Sequence, residues 1–202
     1  MKYLKSVICF VSLTVALLIA PQADAQNMVV NGNFDGDTSN WTDGVSQGTF
    51  VFDPLNYSGP AGSGSGLMTI TSTGPMWTGN ATQCITGVSD AGVYDWGARV
   101  YIPSGHSTTG EVYLQLVWYS STDCSGTFLA SAPYTNLVLQ TTTDVWTPTR
   151  QDDQMPPAGA QSALLLLSVS KTSAAQPLSA HFDGVFFGLD PIPVELQSFV
   201  IE

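Results

Sequence analysis

The sequence predicts an all-β protein, an antiparallel β-sandwich, on three observations. Short runs that alternate apolar and polar residues recur along the chain and are rich in Val, Tyr, Trp and Thr. Clusters of Gly, Pro, Ser, Asn and Asp separate these runs and are typical of turns. No window combines a sustained apolar pattern at helical spacing with capping residues. About eight to ten strands are predicted, a number that suits two packed sheets.

The clearest strands cover residues 93–101 and 111–119, and each has one apolar face and one mixed face. We expect these two strands to pair across the loop at 103–110, which would bring their mixed faces to the same side. Four consecutive leucines at 164–167 break the alternation. That strand is therefore either covered on both faces or leaves leucines exposed in a groove.

The first 25 residues have the features of a secretory signal peptide. Lys2 and Lys5 precede an apolar stretch at 7–20, and small residues occupy the cleavage positions at 23–25. We therefore expect a secreted protein with one sandwich domain at 26–190 and a short tail at 191–202. No later apolar run approaches the roughly 18 residues of a membrane span, so none is expected.

The chain is acidic and poor in cations, with 5 Lys+Arg against 16 Asp+Glu. Loss of residues 1–25 would remove two lysines and one aspartate and change the formal charge from −11 to −12. The cations left are Arg99, Arg150 and Lys171. Nucleic-acid binding is not expected, because counterion release needs clustered Lys and Arg. The same scarcity favours a neutral ligand over an acidic one.

Two cysteines, Cys84 and Cys124, remain after the predicted signal peptide, which contains Cys9. An even count in an oxidising compartment predicts one disulfide between them. The alternative is a pair of free thiols or metal ligands, although neither cysteine has a second Cys or a His at metal-site spacing.

Both ends of the predicted domain carry recognisable motifs. The opening VNGNFD at 30–35 is followed by Trp41, and the closing part has Trp146, then PPAGAQSA at 156–163 and FDGV at 182–185. In order and spacing these motifs resemble those of galactose-binding-like jelly-roll carbohydrate-binding modules, the family of endoglucanase-type carbohydrate-binding domains. The segments around the two cysteines are similar to those of a disulfide-bearing bacterial secreted subgroup. The resemblance covers about 29–188.

This resemblance implies a jelly-roll β-sandwich whose first and last strands are neighbours and whose glycan lies on a concave sheet face. Many members also bind a structural Ca²⁺, and Asp35 and Asp183 match the acidic positions of the two motifs. Asp35 replaces the commoner Glu, and Gly184 stands where a second Asp is frequent. The alternative is that both aspartates fix turns.

Candidate ligand residues come from the mixed faces of the two clearest strands. Aromatic rings stack on sugars, and planar polar side chains fix hydroxyl positions. The alternative is an ordinary solvated face with Arg99 paired to Glu111 or Asp95. The candidates are Asp95, Arg99, Tyr101, Tyr113, Gln115, Tyr119 and the loop residue Trp77.

The five tryptophans receive different predictions. Trp96 and Trp118 fall on apolar strand faces and are predicted to lie in the core, and the resemblance makes Trp41 and Trp146 structural. Trp77 lies in a loop and is either a sugar platform or packed at an edge.

Catalysis is not expected, because the sequence contains neither a G-x-S-x-G nor an H-E-x-x-H motif. The sequence thus predicts a secreted, non-catalytic protein that binds a neutral polysaccharide or glycan. The alternative is an extracellular structural or adhesion protein with the same fold and no sugar site.

Overall fold

The computed structural model describes residues 26–57, 62–74, 77–106, 109–173 and 177–190. The predicted signal peptide and tail lie outside these residues. The described chain forms eleven β-strands, and none of it forms a helix with the length and hydropathy of a membrane span. In chain order the strands are β1 (Thr42–Asp43), β2 (Gly48–Asp53), β3 (Ser65–Ile70), β4 (Trp77–Thr86), β5 (Tyr94–Tyr101), β6 (Gly110–Tyr119), β7 (Phe128–Ser131), β8 (Val138–Leu139), β9 (Thr147–Gln154), β10 (Ser162–Lys171) and β11 (Leu178–Leu189).

The strands form two antiparallel sheets, which confirms the predicted β-sandwich. Sheet I has the order β1-β4-β10-β6-β7, with β8 paired to β6. Sheet II has the order β2-β3-β11-β5-β9. Strands adjacent in sequence often lie in opposite sheets, so the chain repeatedly crosses from one layer to the other.

The expected pairing of the strands at 93–101 and 111–119 is wrong. In the structure β5 pairs with β11 and β9 in sheet II, whereas β6 pairs with β10, β7 and β8 in sheet I. Each strand has a complete apolar face, and the two apolar faces are buried by facing each other across the sandwich. Ile102, in the connection between the strands, is also fully buried. A loop of this length fits either a hairpin or a crossing between sheets, and the alternation pattern does not distinguish them.

The core fills the space between the sheets with the inward residues of each strand. Trp96 and Trp118 are buried, as predicted. Across the core the ring of Trp118 from β6 lies 6.1 Å from that of Phe187 in β11. At the end near the opening motif, Phe34 stacks on Trp41 at 5.8 Å, and Trp41 is only 8% exposed. The motif residues at this end are therefore part of the core.

The N-terminal segment lies beside the last strand, although it is not itself a strand, and the first strand, β1, pairs with β4 in the other sheet. The Met28 N–H donates to the Phe187 carbonyl at 2.7 Å, and the Val185 N–H donates to the Gly32 carbonyl at 2.9 Å. The second of these bonds joins the opening motif to the closing motif.

The predicted disulfide is confirmed, with Cys84 in β4 bonded to Cys124 in the loop that follows β6. In the sheet β10 lies between β4 and β6. The bond therefore ties two elements on either side of β10, and the Cys124 N–H donates to Ser162 Oγ at the start of that strand.

The four leucines of β10 divide between the two faces of sheet I. Leu165 and Leu167 are fully buried in the core, whereas Leu164 and Leu166 are half-buried on the outer face. The outer face of this central strand is therefore neither fully covered nor fully exposed, and apolar side chains line part of it.

Candidate functional site

The predicted ligand residues do not form one site, because β5 and β6 lie in opposite sheets. Asp95, Arg99 and Tyr101 alternate with the buried residues of β5 and lie on the outer face of sheet II. On β6 the corresponding outward positions belong to sheet I. The thickness of the sandwich separates the two outer faces, so each is described by itself. The candidates on the outer face of sheet I are Tyr113, Gln115 and Tyr119.

The outer face of sheet I carries an aromatic pair, with Tyr113 half-buried and Tyr134 exposed. The rings of Tyr113 and Tyr134 lie 4.7 Å apart with planes tilted by 47°, and Tyr134 is 51% exposed. Burial raises the pKa of Tyr113, and the neighbouring Tyr134 and Glu111 add to this. The hydroxyl therefore stays protonated around neutral pH and remains a donor.

Planar polar side chains lie beside this pair. In the sheet register Ser168 stands between Asn80 and Tyr113, and the next outward row places Leu166 between Thr82 and Gln115. We call the surface formed by these rows the tyrosine face; it comprises Asn80, Thr82, Tyr113, Gln115, Tyr134, Leu164 and Leu166.

Two carboxamides of the tyrosine face can contact a ligand. Ser168 Oγ donates to Asn80 Oδ1 at 2.7 Å, which fixes that amide and leaves its NH₂ group as a donor. The Gln115 side chain makes no hydrogen bond to another described residue, so both its donor and its acceptor are available. β4, β10 and β6 pair over ten residues each, which gives a surface about 30 Å long.

Tyr119 and Trp77 lie away from the centre of this face. Tyr119 is at the far end of β6, opposite the exposed Phe128. Trp77 is the first residue of β4, not a loop residue as expected, and it belongs to the inward-facing set of that strand. A Cβ at Gly74 would lie 2.8 Å from the Trp77 indole nitrogen, so the ring packs over that glycine. The ring thus packs at the edge of the sheet and is also 36% exposed.

On the outer face of sheet II, two of the predicted residues have polar partners within the fold. Asp95 accepts hydrogen bonds from the Asp153 N–H at 2.9 Å and from Arg150 at 3.2 Å. The Tyr101 hydroxyl donates to Asp144 at 3.1 Å. These contacts hold β5 to its neighbours, so both side chains have structural roles.

The alternative in which Arg99 pairs with Glu111 or Asp95 is not observed. Glu111 lies on the opposite sheet, and Asp95 forms its ion pair with Arg150. The Arg99 guanidinium instead lies over the ring of Tyr57, 4.6 Å from its centroid.

Trp146 is predicted only to be structural, but its ring belongs to the aromatic group on the outer face of sheet II. It lies 5.4 Å from the ring of Tyr101 and 6.0 Å from that of Tyr57, and it is half-buried. His181 also joins this group, and burial lowers its pKa, against the opposing effect of Asp53. Trp146 and Tyr57 lie in loops, where no periodicity reveals which way a side chain points.

The two predicted calcium ligands differ in burial. Asp183 is fully buried, and its carboxylate accepts the N–H groups of Tyr57 at 2.7 Å and Gly184 at 2.6 Å. Asp35 is exposed, and its own N–H donates to Asn31 Oδ1. The contacts of Asp183 fix a loop and a turn without a cation. Carboxylate oxygens are ligands that Ca²⁺ prefers, so the residue types are compatible with calcium.

Comparison with known proteins gives matches in structure only. The sequence matches no protein-family model. No curated protein is significantly similar to it in sequence.

The structural neighbours are mainly carbohydrate-binding modules of the β-sandwich, galactose-binding-like type. A family 61 module solved with β-1,4-galactotriose superimposes with a TM-score of 0.52 at 14% identity, covering 82% of this chain and 100% of that module. The C-terminal family 22 module of Clostridium thermocellum Xyn10B gives a TM-score of 0.55 at 16% identity, covering 82% and 96%. The described chain thus has the fold of these modules.

An enzyme fragment also shares the fold. The enzymatically active domain of tailspike protein 4 from bacteriophage CBA120 gives a TM-score of 0.58 at 21% identity, and the match covers 81% of this chain. It spans about a fifth of the tailspike chain, 21%.

Proposed function

We propose that this protein is a secreted, non-catalytic module that binds a neutral polysaccharide or glycan along the tyrosine face. The observation that carries the proposal is the pair of the half-buried Tyr113 and the exposed Tyr134 next to the carboxamides of Asn80 and Gln115 on one sheet. A pyranose ring presents an apolar side for stacking and hydroxyls for planar hydrogen-bonding groups, and this face offers both. The fold shared with carbohydrate-binding modules supports the same conclusion.

The charge of the tyrosine face favours a neutral ligand. Of the lysines and arginines in the described residues, Arg99 and Arg150 lie on sheet II and Lys171 is buried. Glu111 lies in the outward row next to Tyr113, so an acidic glycan would be repelled there.

The small number of carboxylates on this sheet face supports binding without hydrolysis. Retaining and inverting glycoside hydrolases use a pair of carboxyl groups about 5 to 9.5 Å apart. Glu111 is the one carboxylate on the outward positions of β4, β6 and β10. Secretion is proposed from the signal-peptide features, and the Cys84–Cys124 bond is compatible with it.

We predict that Tyr113→Ala weakens binding to a neutral polysaccharide by about tenfold or more, because stacking and its buried area are both lost. Affinity electrophoresis against a panel that includes β-1,4-galactan and xylan measures the retardation of wild type and variant. Tyr113→Phe is the matched control, since it keeps the ring and removes only the hydroxyl, and it should keep most of the affinity.

Two results would contradict the proposal. If no neutral glycan retards the wild type, the alternative of a structural or adhesion protein without sugar binding is favoured. If a glycan does bind but Tyr113→Ala and Gln115→Ala leave the affinity unchanged, the ligand lies elsewhere on the molecule.

Structural calcium is a separate proposal, supported by the match of Asp35 and Asp183 to the acidic positions of the family motifs. Free calcium at about 100 times Kd would add roughly 2.7 kcal/mol of stability, a rise in melting temperature of about 5–10 °C for a domain of this size. Asp35→Ala, which removes an exposed side chain, should abolish this rise. A wild-type melting temperature that is the same in chelator and in excess calcium would rule the ion out.

A further inference from the structure

A cleft of about 260 Å³ opens on the outer face of sheet II, opposite the tyrosine face. Gly184 forms part of its lining, and its positive φ of 55° belongs to the bulge of β11. The stem of Arg99 passes over this glycine, with Cγ 3.8 Å from where a Cβ would lie. We call this the arginine cleft; its lining includes Tyr57, Arg99, Pro148, Arg150, Gly184 and Phe186.

Two guanidinium groups line the cleft, and each lies over an aromatic ring. Arg99 lies 4.6 Å from the ring centroid of Tyr57, and Arg150 lies 5.8 Å from that of Phe186. Gly97 stands in register with both Arg150 and Phe186 and places no side chain between them. Stacking occupies one face of the Arg99 guanidinium and leaves the N–H groups at its edge able to bind a ligand.

The two arginines differ in how their charge is balanced. Arg150 forms ion pairs with Asp95 and Asp152. Arg99 forms no ion pair with a described residue, although Asp183 is its register partner in β11. The Asp183 carboxylate accepts backbone N–H groups instead. A protein with a formal charge of −11 thus leaves one arginine without a carboxylate partner beside a cleft.

Arg99 and Arg150 are the accessible lysine and arginine side chains of the described residues, and both line the arginine cleft. The third cation, Lys171, is fully buried, and its Nζ donates to the Ser72 carbonyl. The scarcity of cations in the sequence favours a neutral ligand for the protein as a whole. The fold nevertheless brings the two accessible arginines together at one cleft.

We propose that the arginine cleft binds a carboxylate, with Arg99 as the binding residue and Arg150 as a second cation in the lining. An arginine fork matches the two oxygens of a carboxylate with two parallel hydrogen bonds. The carboxylate belongs either to a uronic-acid unit of an acidic oligosaccharide or to a free small acid. The site is independent of the tyrosine face, so either proposal can fail while the other holds.

Isothermal titration calorimetry on the full chain tests this with trigalacturonate, galacturonic acid, acetate and neutral galactotriose, at low and at physiological ionic strength. We expect trigalacturonate to bind, and Arg99→Gln to weaken that binding at least tenfold. Arg99→Lys keeps the charge and the aliphatic stem but loses the fork, so it should restore part of the affinity and shows that the site still folds.

Gln47→Glu is the matched charge control, because it makes the chain more negative by the same unit at an exposed turn away from the cleft. It should leave trigalacturonate binding unchanged. Galacturonic acid that binds as tightly as the trimer would identify a free acid as the ligand, and weaker binding of the monomer would identify the oligosaccharide. Absence of binding by every carboxylate, or equal affinity of wild type and Arg99→Gln, would overturn the proposal.

Discussion

Replacing both Cys84 and Cys124 by Ser is expected to lower the free energy of unfolding by about 4 kcal/mol. The bond joins residues separated by 40 positions, and closing a loop of that length removes about this much conformational free energy from the unfolded chain at 25 °C. In the folded state it ties β4 to the loop after β6, on either side of β10. Equilibrium urea unfolding of the double variant and of oxidised wild type measures the difference.

Reduced wild-type protein is the control for this prediction. It contains the same side chains except for two sulfur-to-oxygen changes, and its midpoint should approach that of the double variant. A loss of less than about 1 kcal/mol would mean that the bond does little to restrict the unfolded chain.

Replacing Trp96 by Ala is expected to cost about 3–5 kcal/mol, because it empties the site of a fully buried side chain in the centre of the sandwich. Trp96→Phe should lower the free energy of unfolding far less than the lost side-chain volume alone would suggest. The indole N–H of Trp96 is buried and has no hydrogen-bond partner among the described residues. A buried donor without a partner carries a desolvation penalty of about 1–3 kcal/mol, which phenylalanine removes.

Urea unfolding of both variants checks this pair of expectations. The predicted result is a large loss for Trp96→Ala and a change of at most about 1 kcal/mol for Trp96→Phe. Equal losses in the two variants would show that the indole N–H contributes a favourable interaction.

The fold class follows from the sequence because alternation is a local property. On β5 and β6 it correctly identifies which side chains point inward, including Trp96 and Trp118, and which point outward, including Arg99 and Tyr113. The choice of partner strand is not local, since two strands with apolar faces can pair edge to edge or face each other across the core. The prediction of a single ligand site is wrong because it assumed that β5 and β6 pair edge to edge.

The candidate site depends on contacts that no short pattern encodes. Tyr134 follows β7 in an irregular segment, yet it supplies half of the aromatic pair on the tyrosine face. Arg150 comes from β9 and Phe186 from β11, and they meet only because both strands pair with β5 at Gly97. The opening motif is informative for the opposite reason, since Phe34 and Trp41 are close in sequence and their rings stack on each other.

The central claim is that a neutral glycan lies along the tyrosine face, and the most direct test is to map backbone amide chemical shifts during titration with a neutral oligosaccharide that the protein binds. We expect the perturbed amides to concentrate in β4, β6, β10 and the segment around Tyr134. Perturbations concentrated in β5, β9 and β11 would place the ligand on the opposite sheet and contradict the claim.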